Sequence, residues 1–241
     1  MFTVKNTFCF VLSLSRLTHE LNVNNLVNPT ESEVRDLYSR VNKYTVQLNK
    51  QELRKCDYPG DFIDVAESLV ENPFFDDARL FTANMTRRMN DIEFVEELMI
   101  IILEGMQDKK NTIDEFCEKY KKIESLDEIK NQFIKVLEDI RIIFTKENEL
   151  FIFSTRFKKK SDFYTIFSVV FGLISSGKAI CTDSVSDLQS DIMELNQNIK
   201  PMSENEEYSQ YAIRCSTDAN SLSSRKWRYD FIMKFFEKAY R

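Results

Sequence analysis

Residues 30–54 read TESEVRDLYSRVNKYTVQLNKQELR, the pattern of a capped amphipathic helix, a short loop and a second capped helix. Thr30 and Glu33 have the spacing of a capping box, in which each side chain satisfies a backbone donor of the first turn. Asn49 and Glu52 repeat that spacing for the second helix. Apolar residues of the first helix recur at i, i+3, i+4 and i+7, which gives it one apolar stripe. These residues are Val34, Leu37, Tyr38 and Val41.

The composition favours a helical protein. The 241 residues include only 4 glycines and 4 prolines but 20 phenylalanines. Because sheet proteins need many turns, such a scarcity of turn residues favours long helices. The formal net charge of −6 argues against a surface that is basic throughout and binds nucleic acid indiscriminately. Local basic patches remain compatible with it.

Helical patterns continue through most of the chain after residue 54. Pairs at the capping spacing predict helices near 91–107, 113–122 and 126–145, and Asp61 is a further candidate cap. The three pairs are Asn90 with Glu93, Thr112 with Glu115, and Ser125 with Glu128. Residues 184–198 and 206–240 give two more helical patterns. We therefore predict a mainly α, multi-helix bundle with a small α/β remnant at the N-terminus.

Two apolar runs, residues 98–103 and 163–174, are too short to cross a membrane and predict buried helices. We therefore expect no membrane partner. The segment between them, residues 142–153, could form either a hairpin or a helix end followed by a loop. The five cysteines are scattered and odd in number, which is typical of reduced thiols in a cytoplasmic protein. They are Cys9, Cys56, Cys117, Cys181 and Cys215.

The two capped helices also carry a family resemblance. An aromatic-x-Arg-aliphatic-Asn helix end at residues 38–42, then a five-residue loop and Leu-Asn-x-Gln-Glu-Leu-Arg at 48–54, resembles the N-terminal domain family of GmrSD-type restriction and phage-defence proteins. The Tyr-x-x-x-Asn of Tyr38 to Asn42 is a variant of the family's Phe-x-x-x-Asn signature. The family's Asp-Gly-Gln-Gln-Arg motif is missing, because the chain contains no Asp-Gly dipeptide.

The resemblance implies a truncated ParB-like α/β domain at residues 1–56 and a helical domain at 57–241. It implies part of a defence-associated, NTP-linked protein that senses or restricts DNA and is inactive alone. Asn42 and Tyr38 are then candidates for the nucleotide pocket, although a helix C-cap is the plainer role for Asn42. An NTP would be bound only in a domain completed by a partner chain that supplies the missing half. The alternative is a non-catalytic helical module that contacts DNA or a partner subunit.

Two basic clusters are candidates for contact with DNA phosphates. The first precedes a predicted helix start, where phosphate binds favourably, and comprises Arg156, Lys158, Lys159 and Lys160. The second surrounds Trp227 and comprises Arg225, Lys226 and Arg228. Each could equally be a solvated charged face, and Trp227 could anchor the core with Phe231 and Phe235.

Catalytic residues and metal ligands cannot be named from this sequence. His19 is the only histidine, so a His-Asn-His nuclease centre is excluded. The two common phosphate-binding glycine loops are absent. Adjacent carboxylates at 76–77, 96–97 and 206–207 are expected on solvated helix faces. We therefore expect no enzyme activity and no bound cofactor or metal for the chain in isolation.

Overall fold

The computed structural model describes residues 29–30, 32–33, 49–108, 113–145 and 150–241. The chain divides into two units, residues 1–47 and 48–241. In the first unit the predicted capping box is confirmed: the Thr30 N–H donates to Glu33 Oε2 over 2.8 Å, and the Glu33 N–H donates to Thr30 Oγ1 over 3.4 Å. The predicted α/β remnant lies outside the described residues.

The second unit is mainly α, as predicted. Its described residues form eleven α-helices and no β-strand. The helices are α1 (Lys50–Asp57), α2 (Asp61–Val70), α3 (Pro73–Asp77), α4 (Ala83–Arg87), α5 (Asn90–Glu104), α6 (Ile113–Lys119), α7 (Leu126–Ile143), α8 (Lys160–Ser175), α9 (Val185–Asn198), α10 (Glu206–Ser216) and α11 (Leu222–Phe236). The predicted domain boundary after residue 56 falls inside α1, which belongs with the helical unit.

Several predicted caps differ from the observed helix starts. Ser125 is the N-cap of α7, but its side chain makes no capping hydrogen bond. Asn90 is the first residue of α5, and Met89 precedes it as N-cap with a φ of 54°. Asp61 is the first residue of α2, where its Oδ2 instead accepts the Ile123 N–H over 2.8 Å. The sequence therefore located the starts of these helices to within one residue but misassigned the capping hydrogen bonds.

The predicted helical pattern over 206–240 is two helices. Thr217 ends α10 and is followed by Asp218, whose φ of 55° interrupts the helical backbone. The Ser221 hydroxyl then accepts the Ser224 N–H at the start of α11. In the 142–153 segment, α7 ends at Ile143 and Ile152–Ser154 forms a 3₁₀ turn, so the helix-end alternative is the one observed in the described residues.

Helix α8 lies at the centre of the bundle. It packs against α5, α7 and α11, while α5 also packs against α2. Residues 162–170 are all buried, as expected of a helix that is surrounded by neighbours. Aromatic rings fill the space between these helices: the Phe133 and Phe167 centroids are 5.0 Å apart, and those of Phe74 and Phe163 are 5.8 Å apart. Both apolar runs therefore lie in buried helices, as predicted.

The C-terminal residues close the bundle beside α7 and α8. Tyr240 pairs with Ile180 in an isolated antiparallel bridge, and the Ala179 N–H donates to the Arg241 carbonyl over 2.8 Å. The Tyr240 hydroxyl donates to Oδ2 of the buried Asp139 over 3.1 Å. Among the described residues, no helix combines the length and apolarity needed to cross a membrane.

We predict that Phe133→Ala destabilises the chain by about 3–5 kcal/mol, because it opens a cavity where α7 meets α8. The Phe133 side chain is fully buried between Phe75 and Phe167. Ile142→Ala on the same helix is the matched control, since Ile142 is exposed. Urea unfolding followed by circular dichroism measures both variants. Equal losses of unfolding free energy would contradict the packing described above.

Candidate functional site

The two candidates for a nucleotide pocket, Tyr38 and Asn42, lie outside the described residues, so their roles stay predictions. The basic candidates all lie in the described part of the chain. They fall into two groups, one buried inside the bundle and one exposed at its surface.

The first basic cluster is divided between the interior and the surface. The Arg156 guanidinium is mostly buried, and its Nε donates to Asp162 Oδ1 over 2.8 Å. Its Nη1 donates to the Ile199 carbonyl over 2.8 Å. Lys160 is half-buried and donates to the Asn90 carbonyl over 2.8 Å. Lys158 and Lys159 are exposed, so these two lysines are the members available to a large partner.

The second cluster is divided in the same way. Arg225 is buried, and its Nη2 donates to Glu97 Oε2 over 2.7 Å while its Nη1 donates to the Tyr164 hydroxyl over 2.9 Å. Arg228 is also buried and bonds to main-chain carbonyls. Lys226 alone of these three cations is exposed. The buried arginines therefore connect helices, whereas Lys226 faces solvent.

Trp227 stacks on the ring of Phe231 with centroids 5.6 Å apart and planes inclined by 5°. The Phe231 ring in turn contacts Phe235 at 5.4 Å. Of the two alternatives for Trp227, packing against the core is therefore the one observed.

Packing of α8 on α11 brings cations from both clusters to one cavity of about 220 Å³. Lys160 comes from the first cluster, and Arg225 and Arg228 come from the second. Glu97 supplies a carboxylate to the same lining. The sequence placed these clusters far apart along the chain, and the helix packing unites them.

The prediction that Glu96 and Glu97 lie on a solvated face is wrong. Glu96 is 0% exposed and Glu97 is 6% exposed. Their partners come from opposite ends of the helical unit: Gln51 and Arg54 on α1 for Glu96, and Arg225 on α11 for Glu97. Buried carboxylates need such partners, because an unpaired charge in the interior is costly. The available signal was the apolar sequence on both sides of the pair, Phe94-Val95 and Leu98 to Ile101.

Glu96 is held mainly by a neutral neighbour. The Gln51 amide donates to Glu96 Oε1 over 2.8 Å, and Arg54 Nη1 also donates to the Gln51 side-chain carbonyl. Arg54 Nε lies 2.6 Å from Asp114 Oδ1, whereas its Nη1 is 3.4 Å from Glu96 Oε2. Because the arginine is closer to Asp114, it compensates Glu96 incompletely. Burial consequently raises the pKa of Glu96 from 4.5 to about 7.

A second polar cluster surrounds Asp162 at the start of α8. The Cys215 thiol and the Arg156 guanidinium both contact Asp162 Oδ1, and the Tyr211 ring lies 5.0 Å beneath that guanidinium. Burial raises the pKa of Cys215 to about 11 and raises that of Tyr211 well above its ordinary value. Both groups are therefore protonated at neutral pH, and the Cys215 thiol is a poor nucleophile there.

The described residues contain no group of three or more His, Cys, Asp or Glu side chains placed to hold a metal ion. No protein-family model, curated protein or solved structure matches the chain. The resemblance to GmrSD-type proteins in residues 38–54 therefore stays a prediction.

We predict that Glu96 makes folding stability fall as the pH rises. The folded state holds the Glu96 proton more tightly than the unfolded chain, because its pKa is raised from 4.5 to about 7. This contribution is complete below about pH 4.5 and is lost as the pH rises through about 7. It amounts to roughly 3 kcal/mol.

Glu96→Gln removes the ionisable group and keeps its shape, so the unfolding free energy should decline less between pH 5 and pH 8, roughly by that amount. Urea unfolding across this range measures the slope, with the exposed Glu138→Gln as control. Parallel pH profiles for Glu96→Gln and the wild type would show that Glu96 is not protonated in the folded chain.

Proposed function

We propose that the helical unit, residues 48–241, is a non-catalytic module that contacts DNA phosphates. We further propose that it acts within a GmrSD-like, NTP-linked defence protein of the cytoplasm. The observation that carries the DNA contact is an exposed pair of lysines, Lys158 and Lys159, at the start of the central helix α8.

The described residues do not neutralise the charges of these two lysines. Neither Lys158 nor Lys159 forms an ion pair or a side-chain hydrogen bond with the described residues, whereas Lys119 and Lys234 pair with carboxylates. An ammonium group with no carboxylate partner can neutralise a phosphate and release its counterion. Lys158 and Lys159 thus keep their charge available for the DNA backbone.

The backbone at the start of α8 also favours the binding of an anion. Lys159 is the N-cap of α8 and makes no side-chain capping hydrogen bond. The first-turn N–H groups of a helix carry partial positive charge, and they favour an anion where no side chain caps them. Lys226 is exposed on α11, which packs against α8. Contacts of this kind position DNA without reading its sequence.

The defence context rests on the sequence resemblance in residues 38–54. In that setting, nucleotide handling belongs to the domain that Tyr38 and Asn42 would help to complete, together with a partner chain that carries the missing Asp-Gly-Gln-Gln-Arg motif. The helical unit would then supply a rigid surface. Its buried arginines support that role, because Arg54, Arg156 and Arg225 each connect different parts of the bundle.

We predict that Lys158→Ala/Lys159→Ala weakens DNA binding and flattens its salt dependence. Each phosphate neutralised contributes about 0.9 to the slope of log affinity against log salt, so losing two contacts should reduce the slope by roughly 2. Fluorescence anisotropy with a labelled duplex, between about 50 and 200 mM salt, measures the slope for the 241-residue chain.

The matched control is Lys178→Ala/Lys200→Ala, which removes two exposed lysines that also make no ion pair with the described residues. This control changes the net charge equally, so its slope should stay close to that of the wild type. The same slope for both double variants would mean that Lys158 and Lys159 form no specific phosphate-binding edge. Absence of DNA binding by the wild-type chain would overturn the proposed function.

A further inference from the structure

The most unusual charged group in the described residues is the Arg228 guanidinium. Arg228 is 1% exposed. Its Nε donates to Thr165 Oγ1 over 3.1 Å, and its Nη1 and Nη2 donate to the carbonyls of Arg214 and Ala219 over 2.6 and 2.9 Å. All three acceptors are neutral. No carboxylate of the described residues lies within ion-pairing distance of this guanidinium.

Neutral acceptors do not balance a buried positive charge. The carbonyls at the C-terminal end of α10 supply at most about half a negative charge. The nearby carboxylates already have partners: Glu97 pairs with Arg225, and Asp162 pairs with Arg156. Removing an uncompensated charge from water is costly, so such a group usually faces a counter-charge. Arg228 therefore leaves an excess of positive charge inside the bundle.

This excess charge borders the cavity between α8 and α11. The cavity measures about 220 Å³, several times the roughly 30 Å³ that one water molecule occupies in the liquid. Its lining combines cations and neutral donors with one carboxylate, that of Glu97. The cations and neutral donors are Lys160, Ser161, Asn220, Arg225 and Arg228, and Glu97 is already paired with Arg225.

The two arginines that line the cavity also retain hydrogen-bond donors without an acceptor among the described residues. An arginine has five N–H donors. Arg225 uses only its two Nη atoms, and its Nε is buried without an acceptor. Arg228 uses each of its nitrogens once, which leaves two donors. Ser161 lies in the first turn of α8, where the helix end has no side-chain cap. N–H donors from two planar guanidinium groups and from the N-terminus of a helix suit an anion with several oxygens.

We propose that this cavity is a binding site for a phosphate group, either free inorganic phosphate or a small phosphomonoester. Phosphate presents its oxygens tetrahedrally, so two guanidinium groups and the first turn of α8 can each engage a different oxygen. A bound phosphate would supply the counter-charge that the described residues do not give Arg228. This inference does not rest on the proposed DNA contact, because the lysines of that contact are exposed and lie outside the cavity lining.

Isothermal titration calorimetry of the 241-residue chain tests the proposal. One titration uses inorganic phosphate, a second uses glycerol phosphate as a phosphomonoester, and a third uses chloride at matched ionic strength. We expect saturable one-to-one binding of a phosphate compound and no saturable binding of chloride. Tighter binding of one phosphate compound identifies whether the free ion or an ester fits the cavity. No binding of either compound would overturn the proposal.

Ser161→Asp places a carboxylate where the phosphate is proposed to bind. We expect it to lower phosphate affinity at least about tenfold, because the new charge occupies the site and repels the ligand. Ser186→Asp is the matched control, since Ser186 is the second residue of α9 as Ser161 is of α8, and it is exposed. The control should bind phosphate as the wild type does.

Arg228→Lys keeps the charge but loses the planar fork, so it should also weaken phosphate binding about tenfold. If this variant does not fold, Ser161→Asp decides the outcome alone. Phosphate binding that is equal in the wild type and Ser161→Asp would mean that the anion binds elsewhere, and it would overturn the assignment to this cavity.

Discussion

Two consecutive glutamates on α5, Glu96 and Glu97, tie the first and last helices of the helical unit to α5. Glu96 accepts from Gln51 on α1, 45 residues away in sequence, and Glu97 accepts from Arg225 on α11, 128 residues away. A helix advances by about 100° per residue, so two adjacent side chains leave it in different directions. One helix can therefore bind α1 on one side and α11 on another.

This arrangement constrains where the other charged groups lie. Arg225 must stay beside Glu97, because breaking a buried pair leaves a charge without a partner and typically costs 3–5 kcal/mol. With Arg225 fixed, the register of α11 on α8 is fixed as well, and Arg228 follows one turn later inside the bundle. Lys226 is the cation of α11 between Arg225 and Arg228, and it stays at the surface. The proposed phosphate cavity thus depends on this packing arrangement.

The sequence predicted the features that depend on neighbours in the chain. The capping box of Thr30 and Glu33 spans three residues, and its geometry is local. The buried helices at 98–103 and 163–174 follow from apolar runs. The partners of Glu96 and Glu97 lie on helices 45 and 128 residues away, so residue spacing alone could not identify them. The partner of Arg156 could have been predicted in part, because Asp162 is only six residues away. A basic residue followed by an acidic residue across a helix start was the available signal.

The Glu97–Arg225 pair holds α5 to α11 as a coupled buried unit. A double-mutant cycle with Glu97→Gln, Arg225→Gln and the double variant, measured by urea unfolding at pH 7, tests it most directly. We expect a coupling energy of about 1–3 kcal/mol, because each single variant leaves one buried charge without its partner. Losses that add to within about 0.3–0.5 kcal/mol would contradict the claim, since they would show that the two side chains contribute to stability independently.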